Sequence, residues 1–443
     1  MAQHSPAQAS ATEPPTKSGL FYGWIVLGVT VFITFLAATT SQLFTGAMLP
    51  SIEEDTGWSR SSITLAVTCG SMTAGFVSPI FGRWADTYGP RIITSLGIVG
   101  VVLSMYLVAG SGVLGIAFFY IAYIGGRGIG QNALSGVVPR TTAVNWFKRM
   151  RGRALGFVSM AIPLGGAALV PVARLVSDRW GWEYVYYGFG TFMLIVLTPL
   201  ALTFLRRRPE DMGLFPDGET ADEASGAVSS TKRRAFGGET EWTLKQAMGT
   251  PAFWMLIVAV TAGTCANGGV GFHQAAYFED QGVAAAAAAL AVSAYALSGA
   301  FANALWGFLV ERISERVIGA FTVAMAGLLC LFLLSVDSTW EALTFAVLFG
   351  LMARGETSII VMIQAQYFGR NSFGAINGFS TPFQQVALGL GPSIAAFIYD
   401  LAGASYTIAF VLFGGLYFAS AVCIWFSRKP APTAEVLAMQ PGA

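Results

Sequence analysis

Twelve long apolar runs divide this chain, and they constrain its fold more than any other feature. A helix needs about 20 mainly apolar residues to cross the hydrocarbon core of a bilayer. Of the 443 residues, 54% are hydrophobic and 11% are charged, whereas a soluble domain carries about a quarter charged residues. We therefore expect an all-α membrane protein with twelve transmembrane helices. The predicted spans cover residues 21–48, 61–82, 92–110, 114–139, 154–175, 184–205, 251–275, 285–309, 318–336, 342–365, 373–398 and 405–427.

Lysine and arginine are distributed unevenly between the loops. These residues collect on the cytoplasmic side of membrane proteins. If the N-terminus lies inside, only Arg60, Arg174 and Arg179 fall in outer loops. Both termini are therefore predicted to be cytoplasmic, in a protein of the inner or plasma membrane. Residues 1–20 lack the basic start and short apolar core of a cleaved signal, so we expect a disordered tail there and a second tail over 428–443.

The two halves of the chain resemble each other. Gly82 and Asp86 match Gly307 and Glu311 at an offset of 225 residues, and 146-WFKRMRGRALGF-157 matches 367-YFGRNSFGAINGF-379 at about 221. Two such similar offsets indicate a duplicated six-helix unit. We predict bundles over residues 21–205 and 251–427, joined by a polar cytoplasmic linker over 206–250. Parallel repeats of this kind bind their substrate between the halves, near the membrane midplane.

The loop after the second span reads 82-GRWADTYGPR-91, and its spacing of glycines, acid and arginine resembles the signature of the major facilitator superfamily. The resemblance implies two pseudo-symmetric six-helix bundles that rock against each other. It also implies that an acid at the cytoplasmic end of a helix, beside arginines, latches the halves in one state. The predicted latch consists of Gly82, Asp86, Gly89, Arg91, Gly307 and Glu311.

Other stretches resemble the monocarboxylate-porter and oxalate/formate-antiporter branch of that superfamily. They include FYGW in the first span, LPSIEEDTGWSRSSI after it, and WFKRMRGRALGFVSMAIPLGG leading into the fifth. The resemblance implies symport or antiport of a small carboxylate. Three charges of well-studied members are absent, because Asn303 and Gly299 stand at the positions of the span 8 arginine and acid, and Gln42 stands near that of a span 1 lysine.

Three charged residues lie deep in predicted spans, where an ionisable side chain is costly and marks function by default. Arg127 lies in the fourth span, and Arg354 and Glu356 lie in the tenth, its repeat mate. Under the repeat offset Arg354 maps near residue 131, so it is predicted to lie about one helical turn closer to the cytoplasm than Arg127. Two positive charges against one negative charge favour an anion, and one arginine from each half can bridge a carboxylate. Residues two apart on a helix point about 200° apart, so Arg354 and Glu356 are predicted to face different neighbours. Glu356 is either a proton carrier, an ion partner of Arg127 or a structural acid.

Neutral polar residues of the spans are candidates for the rest of a substrate pocket. His273 either bonds the substrate, carries a proton or forms a hydrogen bond at a helix end. For the others, hydrogen bonding between helices is the simpler interpretation. The candidates from this group are Gln42, Asn132, His273, Tyr277 and Asn303.

We thus expect a secondary active transporter of a small organic anion, coupled to protons or working by exchange, that functions as a monomer in the bilayer. No nucleophile–base pair or metal-ligand set is apparent, so no enzyme activity, cofactor or metal is expected. The net charge of +1 gives no indication of a nucleic-acid partner. Efflux of a drug-like or neutral metabolite by the same fold and a membrane ligand sensor without transport are the alternatives.

Overall fold

The computed structural model describes residues 21–58, 60–218, 242–402 and 405–431, apart from a few side chains within them. The secondary structure of this part of the chain is helical throughout. The helices of the first half are α1 (Tyr22–Leu36), α2 (Gln42–Thr56), α3 (Arg60–Tyr88), α4 (Pro90–Leu114), α5 (Ile116–Gly130), α6 (Val137–Trp146), α7 (Arg151–Trp180) and α8 (Trp182–Phe204). Those of the second half are α9 (Leu244–Met248), α10 (Pro251–Asp280), α11 (Ala285–Leu309), α12 (Glu315–Leu333), α13 (Thr339–Ala353), α14 (Gly355–Phe368), α15 (Phe373–Leu401) and α16 (Thr407–Phe426).

Ten helical segments in the described ranges are long and apolar enough to cross a membrane. They account for ten of the twelve predicted spans. The predicted fourth span is absent from this set because the structure divides it into short pieces, α5 and α6. The predicted eleventh span forms α15, which is long enough but carries many glycine, serine, threonine, asparagine and glutamine residues.

Three spans predicted as continuous helices, over 21–48, 114–139 and 342–365, are interrupted in the structure. The first passes through a 3₁₀ turn, Ala37–Thr40, and an extended residue, Ser41. The fourth contains a π-helical turn, Gln131–Ser135, followed by the non-helical Gly136. Such turns interrupt the regular hydrogen-bond ladder and often occur at functional sites.

The interruption of the tenth span has a visible cause. In a continuous helix the carbonyl of Leu351 would accept the backbone N–H of Gly355. Instead it accepts the indole N–H of Trp306 from α11, at 2.6 Å. A Cβ on Gly355 would collide with the Trp306 ring, so only glycine admits this side chain. Arg354 therefore separates α13 from α14, although its backbone stays helical at φ −72° and ψ −23°.

Helices pack mainly within their own half, with α4 against α5 and α8 in the first, and α10 against α15 and α16 in the second. Two long crossings join the halves, α3 with α15 and α7 with α11. In both crossings the two helices approach each other most closely at the same end of the molecule. The connections between helices at this end cover residues 88–90, 146–151, 309–315 and 368–373. We call this the basic end, since Arg83, Arg91, Arg149, Arg312 and Arg370 lie there.

Glycine pairs allow the backbones to meet at the two crossings. A Cβ on Gly82 would collide with the carbonyl of Gly374, and a Cβ on Gly152 would collide with that of Gly307. Under the internal repeat Gly82 corresponds to Gly307 and Gly152 to Gly374. The repeat therefore relates the two crossings to each other: the position that the first half contributes to one crossing is contributed by the second half to the other.

Candidate functional site

Two carboxylates from the predicted latch each accept hydrogen bonds at the start of a helix in the opposite half. Asp86 accepts the backbone N–H groups of Gly374 and Ala375 at 3.1 and 2.8 Å. Glu311 accepts the backbone N–H of Arg153 at 2.9 Å and its Nε–H at 2.6 Å. The first N–H groups of a helix have no partner within it and carry partial positive charge. Both acids therefore stabilise contact between the halves at the basic end.

The other predicted latch residues contribute less directly. Gly89 adopts φ +77° at the turn into α4, a conformation that favours glycine. Arg91 is exposed. Arg370 donates a hydrogen bond to the carbonyl of Asn145 at 3.1 Å and forms an ion pair with Glu210, so it joins both halves and the segment after α8. This arginine was not among the sequence candidates.

Arg127 lies near the end of α5, just before the π-helical turn. Its Nη1 donates a hydrogen bond to the carbonyl of Thr40 at 2.8 Å. That carbonyl belongs to the interrupted stretch of the first span, where the helical ladder leaves acceptors free. The Arg127 side chain packs on Gly70 of α3, where a Cβ would be 3.1 Å from its Cβ. Its Nε has no hydrogen-bond partner among the described residues.

Arg354 occupies the break between α13 and α14, and its side chain is exposed. Its guanidinium carbon lies 4.9 Å from the centre of the Tyr295 ring, in cation–π geometry. A Cβ on Gly299 would be 2.5 Å from the Arg354 Cγ, so the bare glycine leaves room for this arginine. Tyr295 and Gly299 both belong to α11, which forms one of the two crossings between the halves.

Arg127 and Arg354 have similar surroundings in their respective halves. Each packs on a glycine of a helix that crosses to the other half, Gly70 of α3 or Gly299 of α11. When α3 is matched to α11 by the repeat, these glycines lie one helical turn apart, with Gly299 nearer the basic end. The structure therefore agrees with the one-turn offset that the repeat implies for the two arginines.

Glu356 points away from Arg354, as predicted from their spacing. Its carboxylate accepts a hydrogen bond from Ser420 Oγ of α16 at 3.0 Å. It also presses on Gly263 of α10, where any Cβ would collide with it. In the described part of the chain no ion pair joins Glu356 to Arg127 or Arg354.

The amides of the two asparagine candidates are engaged between helices. Asn132 Nδ2 donates to the carbonyls of Ala74 and Gly128 at 2.8 and 2.9 Å. Asn303 Nδ2 donates to Gly299 at 3.0 Å, and its Oδ1 accepts from Ser358 Oγ at 2.8 Å.

His273 and Tyr277 belong to an aromatic cluster at the start of α16. The two ring nitrogens of His273 lie 3.1 Å from the Tyr406 hydroxyl and 3.0 Å from the Pro392 carbonyl. Since that carbonyl can only accept, Nε2 carries a proton and donates to it. Tyr277 packs edge-on against Phe410, with the centres of the rings 5.1 Å apart. The Gln42 side chain lies outside the described part of the structure.

Several contributors were missed by sequence reasoning. Gly152 and Arg153 form half of the second crossing, and the alignment of Gly152 with Gly374 was the signal that could have identified them. Asp217, in a 3₁₀ turn after α8, accepts the backbone N–H groups of Lys148, Arg149 and Met150 at 2.9, 2.7 and 3.2 Å. No local pattern connects a linker residue to that loop.

Comparison with known proteins identifies one family and several relatives. The sequence profile of the Major Facilitator Superfamily matches residues 30–285 and 269–441. The hexuronate transporter of Bacillus subtilis (strain 168) is 23% identical over 434 residues, which cover 91% of this chain and 96% of that protein. Human monocarboxylate transporter 2 is 24% identical over 433 residues, or 94% and 86% of the two chains.

Matches to two probable chloroplastic anion transporters of rice cover only 28% and 47% of those proteins, less than half of their length. Among solved structures, the E. coli fucose:proton symporter FucP superposes with a TM-score of 0.71 at 12% identity, covering 93% of this chain and all of that one. At this identity the likeness concerns the fold alone. From the profile match over most of its length, the chain belongs to the Major Facilitator Superfamily and is a multi-pass integral membrane protein.

Proposed function

We propose that this protein is a secondary active transporter that moves a small organic anion, a carboxylate, across the inner or plasma membrane. In this proposal twelve spans form two bundles, over residues 21–205 and 251–427, with the linker 206–250 and both termini in the cytoplasm. The bundles rock against each other, and movement of the anion is coupled to protons or to exchange. The basic end is then the cytoplasmic gate, and the contacts of Asp86 and Glu311 correspond to its closed state.

The exposed guanidinium of Arg354 carries this proposal. It lies within a long apolar segment, and no carboxylate of the described residues forms a salt bridge with it. Tyr295 and Gly299 place it beside α11, a helix that crosses to the other half. A cation held in such a place without a counter-ion is suited to bind an anion, and guanidinium matches the two oxygens of a carboxylate.

Arg127 supplies a second cation in the first half. Its Nη1 donates to the Thr40 carbonyl, whereas its Nε has no partner among the residues that the structure describes. An anion that bridged Arg127 and Arg354 would draw the halves together around it. Glu356 is the proposed proton carrier, since it is an acid buried in a span that accepts from a hydroxyl, and acids inside spans often form proton relays.

The printed names of two relatives support the substrate class. Hexuronates and monocarboxylates are both organic anions with a carboxylate group, and this chain matches each of those transporters over most of its length. The absent span 8 arginine does not remove the capacity for anions, because Arg354 approaches α11 from the neighbouring span.

The direct test is a binding and uptake screen with purified protein. Thermal shifts would be measured with glucuronate, lactate and oxalate, and with tetraphenylphosphonium as a cationic drug. Proteoliposome uptake of the acids would follow, with and without a pH gradient. We expect an acid to bind and to be transported, and Arg354→Gln to weaken its binding at least about tenfold, as for loss of a charge-assisted pair.

Two variants sharpen this test. Arg354→Lys keeps the charge but loses the planar fork, so we expect an intermediate loss. Arg179→Gln removes an exposed arginine at the end of α7 and is expected to behave as wild type. Full uptake by the folded Arg354→Gln variant would overturn the assignment. A response to the cation alone would favour efflux, and binding without flux would favour a sensor.

A further inference from the structure

The carboxyl of Glu356 lies on a buried polar surface shared by three helices. Gly263 of α10 presses on it, and Ser420 of α16 donates to it at 3.0 Å. Asn267 lies one turn beyond Gly263 on α10, and Tyr417 lies one turn before Ser420 on α16. Residues three or four apart share a helix face, so both side chains belong to the surface that holds Glu356.

Tyr417 contributes a buried hydroxyl group to this surface. The residue is fully buried, and its hydroxyl has no hydrogen-bond partner among the described residues. It nevertheless lies within interaction range of the Asn267 amide and of the Glu356 and Tyr295 side chains. A buried hydroxyl without a partner costs about 1–3 kcal/mol, so a rearrangement that supplies one is favourable.

Tyr295 connects the same surface to Arg354. Its hydroxyl donates to Asn267 Oδ1 at 2.9 Å, while the face of its ring lies beneath the Arg354 guanidinium. The titratable groups near Tyr417 are Glu356, Tyr295 on α11 and Cys330 on α12, and Arg354 lies over the Tyr295 ring. Polar contacts thus extend from the exposed cation toward the buried acid.

We propose that Tyr295, Asn267 and Tyr417 are positioning residues that couple anion binding at Arg354 to proton binding at Glu356. This inference rests on the proposed function. An anion on Arg354 weakens the attraction of its guanidinium for the Tyr295 ring. The Tyr295 hydroxyl can then leave Asn267, whose amide oxygen becomes free to accept the Tyr417 hydroxyl. That change alters the field at Glu356, which binds or releases one proton in exchange with water.

The decisive variant is Tyr295→Phe, which keeps the ring under Arg354 and removes the hydroxyl. Variants would be reconstituted in liposomes with radiolabelled glucuronate or lactate, and proton movement would be followed with pyranine. We expect Tyr295→Phe to retain counterflow exchange but to lose about tenfold in accumulation driven by a pH gradient, within the range of coupling energies between sites. Glu356→Gln should do the same, and the double variant should lose no more.

Tyr106→Phe is the matched control, because it removes a tyrosine hydroxyl that bonds Thr191 at 2.7 Å, away from this surface. Tyr417→Phe is the second variant if Tyr295→Phe does not fold, and it is expected to lose gradient-driven accumulation in the same way. Wild-type accumulation and proton movement in a folded variant would overturn the coupling role. Loss of exchange together with accumulation would also overturn it, because that pattern is a binding defect. If wild-type protein exchanges neither acid, the proposed function itself fails, and the two failures are thereby distinguished.

Discussion

Asp86 and Glu311 hold equivalent positions at the two crossings between the halves. Each carboxylate accepts the backbone N–H of the third residue of the helix that it faces, Ala375 of α15 or Arg153 of α7. The glycine pairs beside them bring the backbones together. Two equivalent contacts therefore hold the halves together at the basic end, and each of them can be tested separately.

Removal of the Asp86 charge should weaken closure of the basic end. Asp86→Asn keeps the shape of the side chain but loses the interaction of a carboxylate with a helix N-terminus, worth up to about 2 kcal/mol. Spin labels on the exposed Thr87 and Ile313, in a background without native cysteines, would report the separation of the halves. We expect a longer distance to gain population in Asp86→Asn, and more so together with Glu311→Gln.

Asp178→Asn is the control for the charge change, because Asp178 pairs with Arg174 on the exposed surface of one helix. Exposed pairs contribute about 1 kcal/mol or less, so the distance distribution should not move. An unchanged distribution in the Asp86→Asn and Glu311→Gln double variant would contradict a closing role for these acids.

A side chain at Gly152 should prevent the α7–α11 crossing from closing. Gly152→Val places carbon atoms where the Gly307 backbone lies, and backbone cannot yield as a flexible side chain can. Hydrogen exchange should therefore accelerate at the start of α7 and the end of α11. A Cβ on Gly166, on the same helix, meets nothing within 4 Å, so Gly166→Val should leave exchange at the crossing unchanged. Equal exchange in both variants would mean that the crossing is not tight.

Asp217 should stabilise the loop before α7, because its carboxylate accepts hydrogen bonds from three backbone N–H groups there. Loss of a side chain that accepts from backbone N–H groups at a helix start costs about 0.5–2 kcal/mol, so Asp217→Ala should lower the unfolding temperature measurably. Asp211→Ala removes a nearby exposed acid and serves as the control. The same melting temperature for both variants would show that the segment after α8 does not stabilise this loop.

His273 is expected to matter for stability more than for substrate affinity. His273→Phe removes the bonds to Tyr406 and Pro392, and loss of the donor to the Pro392 carbonyl costs about 1–3 kcal/mol. Thermal unfolding should therefore shift down, and His273→Gln, which can restore one bond, should shift less. A large change in acid affinity with unchanged melting would instead support contact between His273 and the substrate.

Much of the architecture could be predicted from local properties of the chain. Apolar runs long enough for a bilayer, the loop signature at Gly82 and the repeat at Gly307 report the family, because each depends on nearby residues or on an internal comparison. The opposite faces of Arg354 and Glu356 followed from helix geometry alone. The repeat also implied the one-turn offset between the two arginines.

Tertiary structure decided which of these residues meet. The sequence by itself determined an apolar helical protein with a duplicated plan, acids at the loop positions and a few charges inside its spans. It did not determine that Trp306 takes the Leu351 carbonyl and interrupts the tenth span, or that Tyr295 lies beneath Arg354. Those contacts join residues about 45 and 59 positions apart on different helices, and helix periodicity orients a side chain without choosing the neighbouring helix that it meets.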